Sequence, residues 1–168
     1  ILFQAPADVS ALVVVERLVG DATTDFGAPG QVPSTDVRPV DEQELDRLTA
    51  ILRAAWQTFD EAVERTAGRE LLKGPRGGGR SREGIIQHVL GADASYLSAL
   101  GWKHTSDMVA SLAAARQAIL DGLTAAARGD IAPQGPRGGL RWTPRYFVRR
   151  VAWHVIDHTW ELEDRARV

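Results

Sequence analysis

The sequence predicts an all-α protein whose main part is an antiparallel four-helix bundle, preceded by a short extension that contains one strand. From residue 41 onward, apolar residues recur at three- and four-residue spacing in four successive segments. Segments rich in glycine and proline separate them. Helices of about 20–25 residues joined by short connections are typical of such bundles. We therefore divide the chain into an N-terminal extension, 1–40, and a four-helix-bundle domain, 41–168.

The composition is that of an ordinary globular protein. The chain has 168 residues, of which 44% are hydrophobic and 25% charged, which suits one domain. A net charge of −2 argues against a general nucleic-acid binder. No apolar run approaches the ~18 residues that a membrane span needs. The absence of cysteine excludes disulfides and thiolate metal ligands, and we expect a cytoplasmic protein.

The N-terminal extension differs from the rest in pattern and in charge. Residues 11–19 are short and rich in valine, which predicts a β-strand, and residues 20–40 contain enough glycine and proline for a loop. Residues 1–46 carry nine acidic and two basic side chains. Residues 134–150 carry five arginines and no acid. The charge is therefore unevenly distributed along the chain.

The four predicted helices have recognisable ends. Ser81 is a suitable N-cap for the second helix, and Thr143 followed by Pro144 is a strong start for the fourth. If the helices alternate in direction, the second and fourth point the same way. The glycine-rich loops that precede them then lie at the same end of the bundle. In chain order we place the helices at residues 41–68, 81–101, 106–128 and 144–165.

Three histidines are the residues most suited to chemistry. His154 and His158 are four residues apart on the fourth predicted helix, so their side chains share one face. His88 lies on the inward face of the second helix at a similar depth. Three neutral imidazoles in a bundle interior form a site for Zn²⁺, Ni²⁺ or a similar divalent ion and leave one coordination position open. The alternative is that they are hydrogen-bonded core residues.

Charged residues near the histidines are further candidates. Lys73, Arg76, Arg80 and Arg141 lie in the glycine-rich loops and could guide an anionic substrate to the metal. The alternative is that these loops are simply solvated. Glu161, one turn after His158, could orient that imidazole or act as a catalytic base. A salt bridge at the end of the bundle is the other interpretation of Glu161.

The histidine segments resemble a known family. Gln87-His88-Val89 on the second helix and Trp153-His154-Val-Ile-Asp-His158 on the last are similar to the DinB-like superfamily. The resemblance covers about residues 41–168. It implies a divalent metal held by His88, His154 and His158. The superfamily includes S-transferases and isomerases that use mycothiol or bacillithiol, so the resemblance also implies a low-molecular-weight thiol.

Two functional hypotheses follow. The first is a metal-dependent enzyme, a thiol-dependent S-transferase or a hydrolase, that acts on a small anionic molecule. The second is a metal-stabilised bundle without activity that serves as an interaction or dimerisation module. Trp153 and Trp160 lie on a second apolar edge of the last helix, which could be core or could form a homodimer. An open coordination position that faces a pocket would favour the enzyme.

Overall fold

A computed structural model describes residues 6–73 and 79–166, and this part of the chain is helical. The prediction of an all-α protein is therefore confirmed. The described residues form no β-strand, and none of their helices is both long and apolar enough to cross a bilayer. The helices are α1 (Ala22–Asp25), α2 (Glu42–Arg65), α3 (Arg82–Leu100), α4 (Leu112–Ala127) and α5 (Pro144–Arg165). Short 3₁₀ turns occur at Val9–Ala11, Ser34–Val37 and Asp107–Val109.

The long helices begin at polar N-caps. The hydroxyl groups of Ser81 and Thr143 each accept a hydrogen bond from a backbone N–H in the following first turn, as predicted. The third predicted helix starts later than expected. Residues 107–109 form a separate 3₁₀ turn, and Ser111 is the N-cap of α4. The predicted ends of the other long helices agree with the structure to within three residues.

The four long helices enclose one hydrophobic core. The last helix, α5, packs against α2, α3 and α4. The apolar stripe predicted for each helix is the face that it buries, and removal of this surface from water is the main stabilising contribution. The largest fully buried side chains include Leu52 and Phe59 of α2, Ile85 and Leu97 of α3, Ile119 and Leu123 of α4, and Phe147 and Val151 of α5.

Two ion pairs between α2 and α5 show the direction of these helices relative to each other. Near the start of both helices, Arg145 pairs with Glu44. Near the end of both, Arg65 pairs with Glu163. Helices α2 and α5 therefore run in the same direction.

Two further contacts give the directions of α3 and α4. The backbone N–H of Trp142, just before α5, donates to the carbonyl of Ala99 at the end of α3 over 3.0 Å, so α3 runs opposite to α5. Arg116, near the start of α4, pairs with Asp60, near the end of α2. Helices α3 and α4 therefore both run opposite to α2 and α5.

The predicted alternation of helix directions is wrong. The second and fourth predicted helices, α3 and α5, run in opposite directions, and consecutive helices α3 and α4 run in the same one. The connection 101–111 allows this because it is long enough to return the chain along the core, and its 3₁₀ turn packs against both helices. The loops before α3 and α5 consequently lie at opposite ends, separated by the length of α3, about 28 Å at 1.5 Å per residue.

The predicted strand at residues 11–19 is also wrong. Apart from the 3₁₀ turn that ends at Ala11, these residues have no regular secondary structure, and Val13, Val15 and Val19 are exposed. A strand requires a neighbouring strand to satisfy its backbone hydrogen bonds. The described part of the chain offers none, so the β-propensity of the valines has no consequence here.

Residues 21–40 pack against the start of α5 through polar contacts. Arg149 forms a two-pronged ion pair with Asp36, whose exposed fraction is only 1%. The Tyr146 hydroxyl donates to the carbonyl of Gly30 over 3.2 Å. Arg145 donates to backbone carbonyls at residues 38 and 39. These contacts attach residues 21–40, here called the N-terminal segment, to the helical core.

Candidate metal centre

The three histidines lie together between α3 and α5. The Nε2 atom of His154 is 3.3 Å from that of His88 and 3.2 Å from that of His158. One nitrogen from each residue lies within 4.8 Å of the other two. The prediction that these side chains converge is confirmed.

Burial disfavours the protonated form of two of the imidazoles, those of His88 and His154. The exposed fraction of His154 and His158 is 7% each, and His88 is half-buried. Burial, followed by the charges of its neighbours, lowers the pKa of His154 to about 3. Burial and Arg80 lower the pKa of His88 as well. A neutral imidazole keeps the nitrogen lone pair that a metal ligand needs.

Glu161 orients the third imidazole. Its Oε2 atom is 2.8 Å from Nδ1 of His158, and its Oε1 atom accepts a hydrogen bond from Arg165 over 2.6 Å. A neutral His158 that donates from Nδ1 presents its Nε2 lone pair to the other two histidines. Both carboxylate oxygens of Glu161 are therefore occupied, which favours the orienting role over that of a base.

The spacing of the nitrogen atoms matches a common ion. Two nitrogens bound to a tetrahedral zinc ion at ~2.0 Å are about 3.3 Å apart. The two Nε2–Nε2 distances in the structure, 3.3 and 3.2 Å, agree with this value. Borderline-soft imidazole nitrogens also suit Ni²⁺. The residues present therefore fit a divalent metal ion held by three protein ligands.

A cavity of about 510 Å³ opens onto the histidines. Its lining includes the aromatic side chains of Tyr96 and Trp153 and the guanidinium-bearing residues Arg80 and Arg150. Burial raises the pKa of the Tyr96 hydroxyl, so it stays protonated at neutral pH. The volume lies in the range of small-molecule sites. The open side of the histidine cluster therefore faces space for a small molecule.

The N-terminal segment forms one wall of this cavity, which the sequence analysis did not anticipate. Ala22, Thr23, Phe26 and Ala28 all line it. The signal that could have revealed this wall is the charge distribution. The acid-rich N-terminus and the arginine-rich residues 134–150 meet in the structure, through pairs such as Asp36 with Arg149.

The structure separates three of the four basic residues that were predicted to bind substrate. Arg80 lines the histidine cavity, whereas Lys73 lines an adjacent one that lacks the histidines. Arg141 lies at the other end of α3, where it donates to the carbonyl of Ala132, so its predicted place at the mouth of the metal pocket is wrong. The error follows from the assumed helix directions. Arg76 lies outside the described residues.

A larger cavity, about 660 Å³, lies between α2 and α5 but contains none of the histidines. Its walls are mainly apolar, with three arginines at one end. Each of these arginines is paired with Glu44 or Asp36. Size alone would favour this cavity as a binding site, but each charged side chain that lines it is already paired within the chain. The smaller cavity contains the three histidines and Arg150.

The chain was compared with protein-family models, with curated proteins and with solved structures. No family model, curated protein or solved structure matches it. The function must therefore be argued from the site itself.

Proposed function

We propose that His88, His154 and His158 bind one divalent metal ion, Zn²⁺ or Ni²⁺, and that the protein is a metal-dependent enzyme. The observation that carries this proposal is the Nε2 spacing of 3.2 and 3.3 Å between three converging imidazoles, two of which are buried. Three imidazoles packed this closely in a largely apolar interior are costly unless their nitrogens are satisfied. A shared ion satisfies all three at once.

The proposal includes membership of the DinB-like superfamily. Its support is the four-helix core, with one histidine from α3 and two from α5. The bundle that we propose has two helices running up and two running down, with α3 and α4 as the consecutive pair in the same direction. This replaces the strict alternation that was predicted.

An enzyme is favoured over a structural metal site because the cluster is open. Among the described residues, the metal-ligating group consists of the three histidines without a fourth protein ligand. Glu161 contacts His158, but its oxygens are bonded to His158 and Arg165. When bound, a metal ion would supply a Lewis acid that lowers the pKa of a thiol or water at the open position.

The residues around the cluster have separable roles. Glu161 holds His158 in one orientation and thereby keeps its Nε2 atom directed at the cluster. Tyr96 offers a protonated hydroxyl at the cavity wall. The N-terminal segment restricts access of water to the histidines, which strengthens electrostatic interactions in the cavity.

We propose a low-molecular-weight thiol such as mycothiol as the second reactant. The thiol would give its proton to water, and its sulfur would bond to an electrophilic carbon of the substrate while the bond from that carbon to a leaving group breaks and the leaving group departs with the electron pair. The absence of cysteine supports an external thiol, because the chain has no sulfur nucleophile of its own. Hydrolysis is the competing reaction, since it uses the same three histidines and no thiol.

Metal analysis of the purified chain tests the first part. We expect one Zn²⁺ or Ni²⁺ per chain in the wild type and none in the His154→Ala, His158→Ala double variant. His104→Ala is the matched control, because His104 is the fourth histidine and lies outside the cluster. A full complement of metal in the double variant would overturn the proposal.

A Co²⁺-loaded sample distinguishes the two reactions. Binding of a thiol at the open position should change the visible absorption spectrum of Co²⁺, and the His104→Ala control should respond in the same way. An unchanged spectrum with every thiol tried, together with thiol-independent turnover of an ester or amide, would establish hydrolysis instead.

A further inference from the structure

Arg150 occupies an unusual environment in the histidine cavity. Its guanidinium carbon lies 5.6 Å from the ring centre of Tyr96, 5.8 Å from that of Trp142 and 5.7 Å from that of Trp153. Aromatic faces attract a cation and hold it without supplying a counter-charge. The three rings therefore keep Arg150 in place as a charged group.

No acidic side chain neutralises Arg150. Among the ion pairs of the described residues, none involves it. Its Nε and Nη1 atoms are buried and have no hydrogen-bond partner in that part of the chain. Buried guanidinium nitrogens without an acceptor are costly, and arginine is the side chain best shaped to hold a carboxylate. The environment of Arg150 therefore lacks one anion.

The other charged groups of the cavity do not supply that anion. Arg80 adds a second positive charge to the lining, and Asp157 adds one negative charge but is not within ion-pair distance of Arg150. Two arginines and one aspartate line the cavity, so its lining favours an anionic ligand, and a bound divalent metal would add to this positive charge. The planar carboxylate of an organic acid matches the guanidinium of Arg150, and its apolar part suits the aromatic rings beside that side chain.

We propose that Arg150 binds the carboxylate of a small organic acid, whose remainder lies against Tyr96 and Trp153 and extends to the histidines. Arg150 and His154 are four residues apart on α5, so a carboxylate on the former places the rest of the ligand beside the cluster. The cavity volume of about 510 Å³ limits the ligand to a small molecule. This inference deepens the proposed function and rests on it for the reacting end of the ligand.

A purely structural role for Arg150 is the competing explanation. In that case the guanidinium would only fill the space between three aromatic rings. The two explanations differ in one measurable respect. A structural arginine has no preference for anions, whereas an anion-binding arginine distinguishes a carboxylate from its neutral amide.

Isothermal titration calorimetry on the full chain as purified tests the proposal, with benzoate and its neutral isostere benzamide as probes. We expect the wild type to bind benzoate at least tenfold more tightly than benzamide. The Arg150→Met variant should lose at least tenfold in benzoate affinity, and Arg150→Lys should retain part of it. Arg128→Met, which removes an exposed arginine after α4, is the matched control and should stay within twofold of the wild type.

Equal benzoate affinity in wild type and a folded Arg150→Met variant would overturn the proposal. If Arg150→Met does not fold, the wild type still decides, because equal affinity for benzoate and benzamide contradicts an anion site. Tighter binding of inorganic phosphate than of benzoate would overturn the assignment to carboxylates.

The double variant His154→Ala, His158→Ala separates this inference from the proposed function. If it lacks metal but still prefers benzoate to benzamide, both proposals are supported. If the wild type itself contains no metal and its benzoate binding still depends on Arg150, the metal proposal fails and the anion site remains.

Discussion

Arg149 and Arg150 are adjacent in the sequence but lie on different faces of α5 in different surroundings. Arg149 forms a two-pronged ion pair with Asp36, and Arg145, one turn earlier, pairs with Glu44. Arg150 instead lies among three aromatic rings in the cavity that contains the histidines. One side of the helix is neutralised by the chain itself, and the other side keeps its positive charge.

Arg149 holds the N-terminal segment against α5, whereas Arg150 lines the histidine cavity and is the residue proposed above to bind a ligand. Asp36 attaches the N-terminal segment to α5 and is thereby unavailable to the cavity. The cavity combines a charged guanidinium with three imidazoles, and burial lowers the pKa of two of them, His88 and His154. A basic side chain whose counter-charge is missing is a better indicator of a ligand site than a cluster of basic residues in a loop.

The largest change in stability should come from breaking the ion pair between Asp36 and Arg149. We expect Asp36→Asn to lower the free energy of unfolding by about 3 kcal/mol, because it removes a buried carboxylate from its arginine. Release of the N-terminal segment should also make residues 21–40 more sensitive to limited proteolysis. Thermal unfolding and proteolysis measure the two effects. The control is Asp46→Asn, at an exposed position on α2, and an equal response in both variants would contradict this attachment.

Asp93 is a second buried carboxyl group and can be compared with Asp36, because no ion pair of the described residues involves it. Asp93 is 1% exposed, its Oδ1 atom has no hydrogen-bond partner among the described residues, and burial raises its pKa to about 7. The folded state therefore binds more protons than the unfolded state above pH 3.8, and the contribution of Asp93 to stability falls as the pH rises towards and through 7.

We expect Asp93→Asn to stabilise the protein more at pH 8 than at pH 5, by a difference of about 2 kcal/mol, because an amide cannot ionise. Chemical denaturation at the two pH values measures this difference. Asp121→Asn, at an exposed position on α4, is the control. A stability change in Asp93→Asn that does not depend on pH would show that Asp93 does not ionise in this range.

The smallest effect tests the orientation of His158. We expect Glu161→Gln to weaken metal binding about tenfold, because the amide is a poorer acceptor for the imidazole N–H. A competitive titration with a chromophoric chelator measures the affinity. Glu163→Gln is the matched control, since Glu163 pairs with Arg65 away from the histidines on the same helix. Equal affinity in both variants would leave Glu161 as a salt-bridge residue only.

The sequence was sufficient to predict the helices and the histidine cluster, but not the helix directions. Polar caps such as Ser81 and Thr143 determine helix starts locally, so they can be recognised without the rest of the fold. An apolar stripe indicates which face is buried but not which way the helix points. Direction is decided by contacts between distant residues, such as that of Trp142 with Ala99.

The convergence of the histidines was predicted for an incorrect reason. The predicted depths of His88 and His154 were each counted from the start of the helix that carries them, which holds only if the two helices run in parallel. In the structure the helices are antiparallel, and His88 lies six residues after the start of α3 while His158 lies seven before the end of α5. The start of α3 and the end of α5 lie at the same end of the core, so His88 and His158 are at nearly the same depth. Arg150 was missed because its significance depends on rings from α3, from α5 and from the loop before α5.

The parallel pairing of α2 and α5 has a consequence for how the protein folds. These helices form the most extensive contact of the core although about 80 residues separate them along the chain. Contacts between such distant residues slow folding, because the intervening chain must be ordered before the contact is gained. Until α5 has left the ribosome, α2 and α3 lack the helix with which each makes its most extensive contact. During that time His88 has neither His154 nor His158 beside it. The metal binding proposed above would therefore follow synthesis of the last helix, because two of its three ligands lie on α5.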